Sequence, residues 1–346
     1  MTRPQLSVGA DGARPPVLLS VLELGAADGR LPAEQAVQEV TDVARAAEEG
    51  GYHRFWVAEH HASPDSVISA PVVLIAHVAA HTRHIRVGSG GVMLPNYAPY
   101  VVAEQFATLQ ALHPGRIDLG VGRSTGGTSG GDQSLEAALR RDPRAGLEFP
   151  ALIDELVGHL DPTARAQAPA PYLSPRVATP TEVYVLGTTE NGARTAADRS
   201  LPFVYGQHLG RSKCRPAAVE RYRATFVPGP RDARPYVITS VSVLCADSDE
   251  EAERLAVRTA RYAVRHRGGN APDEPLAPAR EEFLARRVLE EQQVIHGGRS
   301  TVLQGIERIA SASGADEIML VPFDLAGTGR SRTLRMVAGL RAPVPA

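Results

Sequence analysis

The sequence predicts an α/β fold, a (β/α)8 TIM barrel with insertion loops at its C-terminal face. Three observations lead there: eight short runs of β-branched and aromatic residues, a helical pattern after nearly every one, and a 346-residue chain, 43% hydrophobic, with no linker, low-complexity tail or repeat. A chain of that length can bury one large core, and barrels of this size are commonly single domains, so residues 1–346 are read as one unit. Within it, residues 1–14 are expected to form a flexible arm, and residues 126–180 and 267–292 insertion or lid segments.

The run PVLLSVLEL (16–24) reads as the first strand, and apolar residues at helical spacing over 32–51 as the first helix. HRFWVAE (53–59) precedes APVVLIAHVAAHT (70–82), where Pro71 suits a first helical turn. IRVGSG (85–90), PYVVAEQFATLQAL (99–112) and RIDLGVG (116–122) continue the alternation. It loosens at GGTSGG (126–131), with helices expected over 132–141 and 147–160. EVYVLG (182–187) and a helix after Thr189, PFVYG (202–206) with CRPAAVERYRATF, and YVITSVSVLCA (236–246) with DSDEEAERLAVRTARYAVRH restore it. Residues 267–292 are rich in Gly, Pro and charge and read as loop; STVLQGIERIA and DEIMLVPF (316–323) then supply the eighth strand.

Composition narrows the function. A formal net charge of -2 provides no basic surface for nucleic acid and no polybasic stripe for a membrane. No apolar run approaches the roughly 20 residues that cross a bilayer, and the N-terminal stretch lacks a signal-peptide centre, so a cytoplasmic location is expected. Cys214 and Cys245 form no C-x-x-C, which argues against a disulfide framework or a thiolate metal cage. Lys213 is the only lysine, in RSKCR, so Schiff-base and P-loop chemistries drop out.

In a parallel barrel the chemistry collects where strands end. The second strand ends in Glu59, His60 and His61, a carboxylate and two imidazoles suited to proton transfer or to a purely structural pairing. A metal site using the nearby His77, His81 and His84 is disfavoured, because those three follow the register of the crossover helix; no metal is expected. The third strand ends in GSGG, where Gly90 and Gly91 either let a flat ligand approach or form a plain tight turn. The fourth ends at Gly122, Arg123 and Ser124, and the fifth at Thr188 and Thr189 before a helix. An arginine beside hydroxyls and a helix N-terminus are phosphate-binding features, with a surface ion pair and an ordinary N-cap as the alternatives.

FWVAEHH, IRVGSGGVMLPNYAP, VVAEQFATL and HPGRIDLGVGRS, in that order, resemble the bacterial luciferase-like family of flavin-dependent monooxygenases. The resemblance is densest over 52–125, returns at EVYVLGTT and YVITSVSVLCADSDEEAERLA, and fades in 126–180 and 267–292. It implies that His60 is the active-site base beside the flavin, supported by His61 and Glu59. It places Gly90 and Gly91 at a non-prolyl cis peptide against the isoalloxazine, Gly122 near its reactive edge, and Arg123 and Thr189 on the flavin phosphate. Gly192 stands where relatives often have a phosphate-binding serine, leaving Asn191 or Thr188 to compensate, and STGGTSGG is longer than usual.

The implied reaction uses reduced FMN from a separate flavin reductase and O2, forms a flavin C4a-(hydro)peroxide, and oxidises a small organic substrate. The alternatives are a deazaflavin-dependent hydride transferase and a non-catalytic flavin-binding protein. A homodimer is implied as well. Gly268 and Gly269 are candidate hinges for a lid over 267–292.

Overall fold

A computed structural model describes residues 17–27, 31–127, 133–161, 172–229, 232–265 and 276–338. The expected arm at 1–14, the hinge pair Gly268 and Gly269, and most of GGTSGG lie outside them. The chain begins β1 (Leu18–Glu23), α1 (Ala33–Glu49), β2 (Arg54–Val57), α2 (Pro71–His81), β3 (Arg86–Met93), α3 (Pro99–Leu112) and β4 (Ile117–Gly122). There follow α4 (Gln133–Ala138), α5 (Phe149–Leu160), β5 (Glu182–Gly187), α6 (Glu190–Ala197), β6 (Phe203–Tyr205), α7 (Ala217–Thr225), β7 (Val237–Cys245) and α8 (Asp249–Arg265). It ends with α9 (Pro278–Glu291), β8 (Ile295–Gly297), α10 (Arg299–Ser313), β9 (Glu317–Pro322) and α11 (Gly327–Ala338).

Strands β1 to β7 and β9 pair in parallel, in sequence order, and the sheet closes through β6–β7 and β1–β9. These are the eight strands the sequence predicts, and the barrel is a (β/α)8 TIM barrel. β8 is an addition: Val243 of β7 faces both Ile295 and Pro322, so β8 extends the edge that β6 occupies lower down.

Two differences from expectation have local causes. Residues 278–291, expected as loop, form α9, since Pro278 stands in the first turn, where a missing N–H costs nothing, and Ala285 and Leu289 pack against Ala252, Ala256 and Ala260 of α8. The glycine-led stretch GTGRSRTLRMVA forms α11, which the sequence pattern does not announce. Its Arg330 is buried and donates to the Glu23 carboxylate (3.1 Å) and the Ala26 carbonyl (2.8 Å), tying the last helix to the first strand.

Side chains alternate between two environments. Odd-numbered positions of β1 to β4, such as Val21, Phe55, Val87 and Leu119, meet the helices in the main core. Even-numbered ones point into the barrel, where Leu22, Trp56, Tyr184, Val204 and Ile238 join Met319 and Val321 of β9.

At the N-terminal end of this column the filling is ionic. Arg54, fully buried, donates Nε to Glu317 (2.8 Å) and Nη1 to Asp118 (2.8 Å) and to the Tyr184 hydroxyl (2.8 Å). Asp118 also binds Arg86 and accepts from Trp56 Nε1 (3.0 Å); Glu317 accepts from Ser20 and Tyr236. Burial opposes charging Asp118, but the Arg54 and Arg86 guanidiniums win and hold its carboxyl down at about 2.

Arg54→Met should therefore lower the unfolding free energy by about 3–5 kcal/mol in chemical denaturation, because it leaves the buried Glu317 without its guanidinium and Asp118 with Arg86 alone; exposed Arg144→Met should change it by less than about 1 kcal/mol. A carboxyl whose pKa is depressed on folding stabilises the fold above its unfolded value of 3.8 and ceases to as pH falls towards 2. Acid titration followed by circular dichroism should show that loss between about pH 4 and pH 2, and Asp118→Asn should flatten it.

Candidate functional site

Above the ionic layer, the strands' C-terminal ends open into a cavity of about 640 Å3, inside the roughly 300–1,000 Å3 range of small-molecule sites. Its floor is Leu22, Trp56 and Met319, and its walls bring together His60, Gly90, Gly122, Arg123, Ser124, Thr188 and Thr189. Of the residues singled out in the sequence, Glu59, His61 and Gly91 stand behind that lining.

On β3 the Gly90–Gly91 peptide is cis. A β-carbon at Gly90 would lie 2.5 Å from Leu22 Cδ1, and one at Gly91 would lie 2.7 Å from the Gly120 carbonyl oxygen. Glycine at these two positions leaves the wall flat and the cavity open beside Trp56.

One part of the lining carries features that favour an anion. Thr189 stands extended at the start of α6 with no side-chain capping bond, so its side chain leaves the first amides of that helix uncapped. Arg194 and Thr195 of α6 line the same end as Arg123, and neither arginine has an ion-pair partner among the described residues. Glu190, the acidic residue of the first turn, is drawn off by Arg221 (3.1 Å). A β-carbon at Gly192 would meet only ordinary contacts, the nearest at 3.4 Å, so the missing serine leaves room and no clash.

The turn carrying Arg123 is braced from the segment after α4. Arg141 donates to the carbonyls of Arg123 (3.0 Å) and Ser124 (2.9 Å) and to Asn96 Oδ1 (3.0 Å), while Asn96 Nδ2 donates to the Thr125 carbonyl (3.1 Å). Gly146, Leu147, Phe149 and Pro150, from the stretch expected to be an insertion, complete the wall beside it.

The residues that follow β2 carry titratable side chains of the site. Ser66 gives its hydroxyl proton to the Leu24 carbonyl (2.7 Å), so its oxygen accepts from His60 Nδ1 (3.3 Å). That assigns the neutral ring an unprotonated Nε2. Burial pushes the His60 pKa down; the Leu24 carbonyl opposes this and the His61 charge adds to it. Behind it, the buried Glu59 carboxylate accepts from His61 Nε2 (2.8 Å), Tyr97 Oη (3.1 Å) and the Met93 amide (3.2 Å). Burial raises its pKa, with His61 as the strongest opposing contact. The His61 amide donates to the Gly126 carbonyl (2.8 Å), so Glu59 and His61 join the ends of β2, β3 and β4 around the cavity.

A second imidazole reaches the cavity that sequence reasoning missed. His208 follows β6 in a single 3-10 turn and contacts Ser240 of β7. Its position just beyond a strand end, in FVYGQHL, was the available signal. The helical spacing of His77 and His81 puts both on α2, and no group of three or more metal-ligating side chains occurs among the described residues.

The luciferase-like monooxygenase family model matches residues 19–317. Over 316 residues the chain is 35% identical to the luciferase-like monooxygenase of Escherichia coli (strain K12), covering 88% of this chain and 91% of that one. It is 31% identical over 315 residues to the N-acetyl-S-alkylcysteine monooxygenase of Bacillus subtilis (strain 168), covering 88% and 92%. The crystal structure of apo-MsnO8 superposes with a TM-score of 0.79 at 34% identity, covering 93% and 97%. More distant structures share the fold alone, among them an FMN complex of the oxygenating constituent of 3,6-diketocamphane monooxygenase (TM-score 0.66, 18% identity) and an F420-dependent secondary alcohol dehydrogenase (TM-score 0.63, 14% identity). The chain belongs to the luciferase-like monooxygenase family, and it is an oxidoreductase.

Proposed function

We propose that this enzyme takes reduced FMN from a separate flavin reductase, together with O2, and transfers one oxygen atom to a small organic substrate. The observation that carries the proposal is one cavity lined by two arginines without an ion-pair partner among the described residues, an α6 N-terminus that Thr189 does not cap, a side-chain-free wall at Gly90 and a neutral imidazole at His60. Those features fit a phosphorylated planar ring. Arg123, Arg194, Thr189 and the first amides of α6 would hold the phosphate, with Ser124 and Thr188 beside them. The Gly90–Gly91 wall and Trp56 would face the ring, and Gly122 would border it.

Bound reduced flavin would supply the electrons that activate oxygen. The chain's own task is to position, to exclude water and to move a proton. His60, held in one tautomer by Ser66 and kept neutral by burial, would take a proton through Nε2. Glu59 and His61 would act through the loops they join. A second reading, hydride transfer with a deazaflavin, is favoured by the likeness in fold to F420-dependent enzymes. A homodimer belongs to the same proposal; Val73 on α2 and Val101 on α3, 66% and 43% exposed, would face the second copy.

The phosphate assignment predicts that Arg123→Ala and Arg194→Ala each weaken FMN binding about tenfold or more, with riboflavin, which has no phosphate, little changed; calorimetric titration of both ligands checks this. Equal losses for the two flavins would place the phosphate elsewhere. With NADH, a flavin reductase, FMN and O2, His60→Ala should slow substrate oxidation about a hundredfold while leaving FMN affinity within about twofold. Retention of deazaflavin in preference to FMN would select the hydride-transfer reading.

A further inference from the structure

We propose that His208 is a substrate-contacting residue: through Nε2 it accepts a hydrogen bond from a hydroxyl, amide or thiol of a neutral substrate with an apolar body. The proposal deepens the flavin reading and rests on it only for which end of the cavity the cofactor fills.

Topology supplies the placement. In the closed order β1 to β7 then β9, β2 and β6 are four strands apart in either direction. His60 after β2 and His208 after β6 therefore rise from opposite sides of the mouth, and both line the cavity. The anion-binding features follow β4 and β5, and the cis peptide lies on β3. The side left over is formed by β6, β7, β9 and β1, through Val204, Leu209, Met319, Leu22 and Leu24, all apolar, with Ser240 and His208 as its polar groups.

Hydrogen bonding fixes what His208 offers. Ser240 Oγ donates its proton to the Tyr205 carbonyl (3.2 Å) and so accepts from His208 Nδ1 (2.7 Å). Nε2 then carries a lone pair and has no hydrogen-bond partner among the described residues. Burial, joined by the charges of His60 and Lys213, pushes the imidazole pKa down to about 4, so the ring stays neutral and accepts at this atom across ordinary pH. His208 is half-buried and lines the cavity, so a ligand that brings a donor can reach this acceptor and complete its hydrogen bonding.

Charge sets the substrate class. Among the described residues of the lining, Arg123 and Arg194 are the charged ones and no carboxylate is present. No described lining residue would neutralise a cationic substrate, and an anionic one would be drawn to the end that the cofactor phosphate would occupy. What fits between His208 and the floor is an uncharged molecule with an apolar body and a donor.

The test uses flavin-free protein with isotope-labelled imidazole nitrogens, observed by NMR and titrated with para-ethylphenol, ethylbenzene and para-ethylbenzylamine. His208 Nε2 should be unprotonated at neutral pH, and its resonance should shift with the phenol. The phenol-to-ethylbenzene affinity ratio should fall about tenfold in His208→Phe, and less in His208→Gln, which keeps an acceptor. A protonated Nε2, or a ratio unchanged in His208→Phe, would overturn the proposal. An amine that binds as tightly as the phenol would overturn the neutral substrate class. If His208→Phe does not fold, the wild-type resonance still decides. Because no cofactor is present, failure of FMN to bind in a separate titration would count against the flavin reading alone.

Discussion

The guanidinium of Arg54, clamped between Asp118 and Glu317 at the N-terminal end of the barrel, sets the height of everything above it. Three buried charges are tolerable there because each meets an opposite partner, the Tyr184 hydroxyl accepts from Arg54, and Trp56, Ser20 and Tyr236 donate to the carboxylates. Trp56 rests on this layer through its bond to Asp118, and with Leu22 and Met319 it forms the cavity floor. The bottom of the barrel is filled, so the space that remains lies at the top, where the strand ends place their chemistry.

From floor to rim, the same period-two alternation that sends Val21 and Phe55 outward sends Leu22, Trp56 and Gly90 inward. The loops that carry the polar groups are cross-braced rather than independent. Glu59 and His61 join three strand ends, and Arg141 grips the turn behind Arg123 from a segment 18 residues further along the chain. Rigid support of this kind is what a positioned proton acceptor and a phosphate clamp require.

Much of this was legible in the sequence. All eight barrel strands are, since each is a run of β-branched or aromatic residues bounded by turns, and His60, Gly90, Arg123 and Thr189 are conspicuous because they stand where such runs stop. What was not legible depends on contacts across the fold. Arg54 and Glu317 are separated by 263 residues, and nothing local marks either as buried. α9 hides behind its proline and charges, and α11 behind its glycines, because tertiary packing on α8 and α1 outweighs local propensity. Arg194 reads as an ordinary arginine in the last turn of its helix, and only the docking of α6 beside the strand ends brings it into the cavity lining. His208 stands in a single 3-10 turn after a three-residue strand, where a lone histidine looks like an ordinary loop residue until the closed barrel brings it to the cavity.

The central claim is geometric: one cavity holds a flavin with its phosphate at Arg123, Arg194 and the start of α6 and its ring between Gly90 and His60. A crystal structure of the protein with FMN tests it most directly. The account predicts the phosphate within hydrogen-bonding distance of both guanidiniums and the α6 amides, with the ring packed on the Gly90–Gly91 wall. A phosphate bound at the His208 side, or a flavin bound outside the barrel mouth, would contradict it.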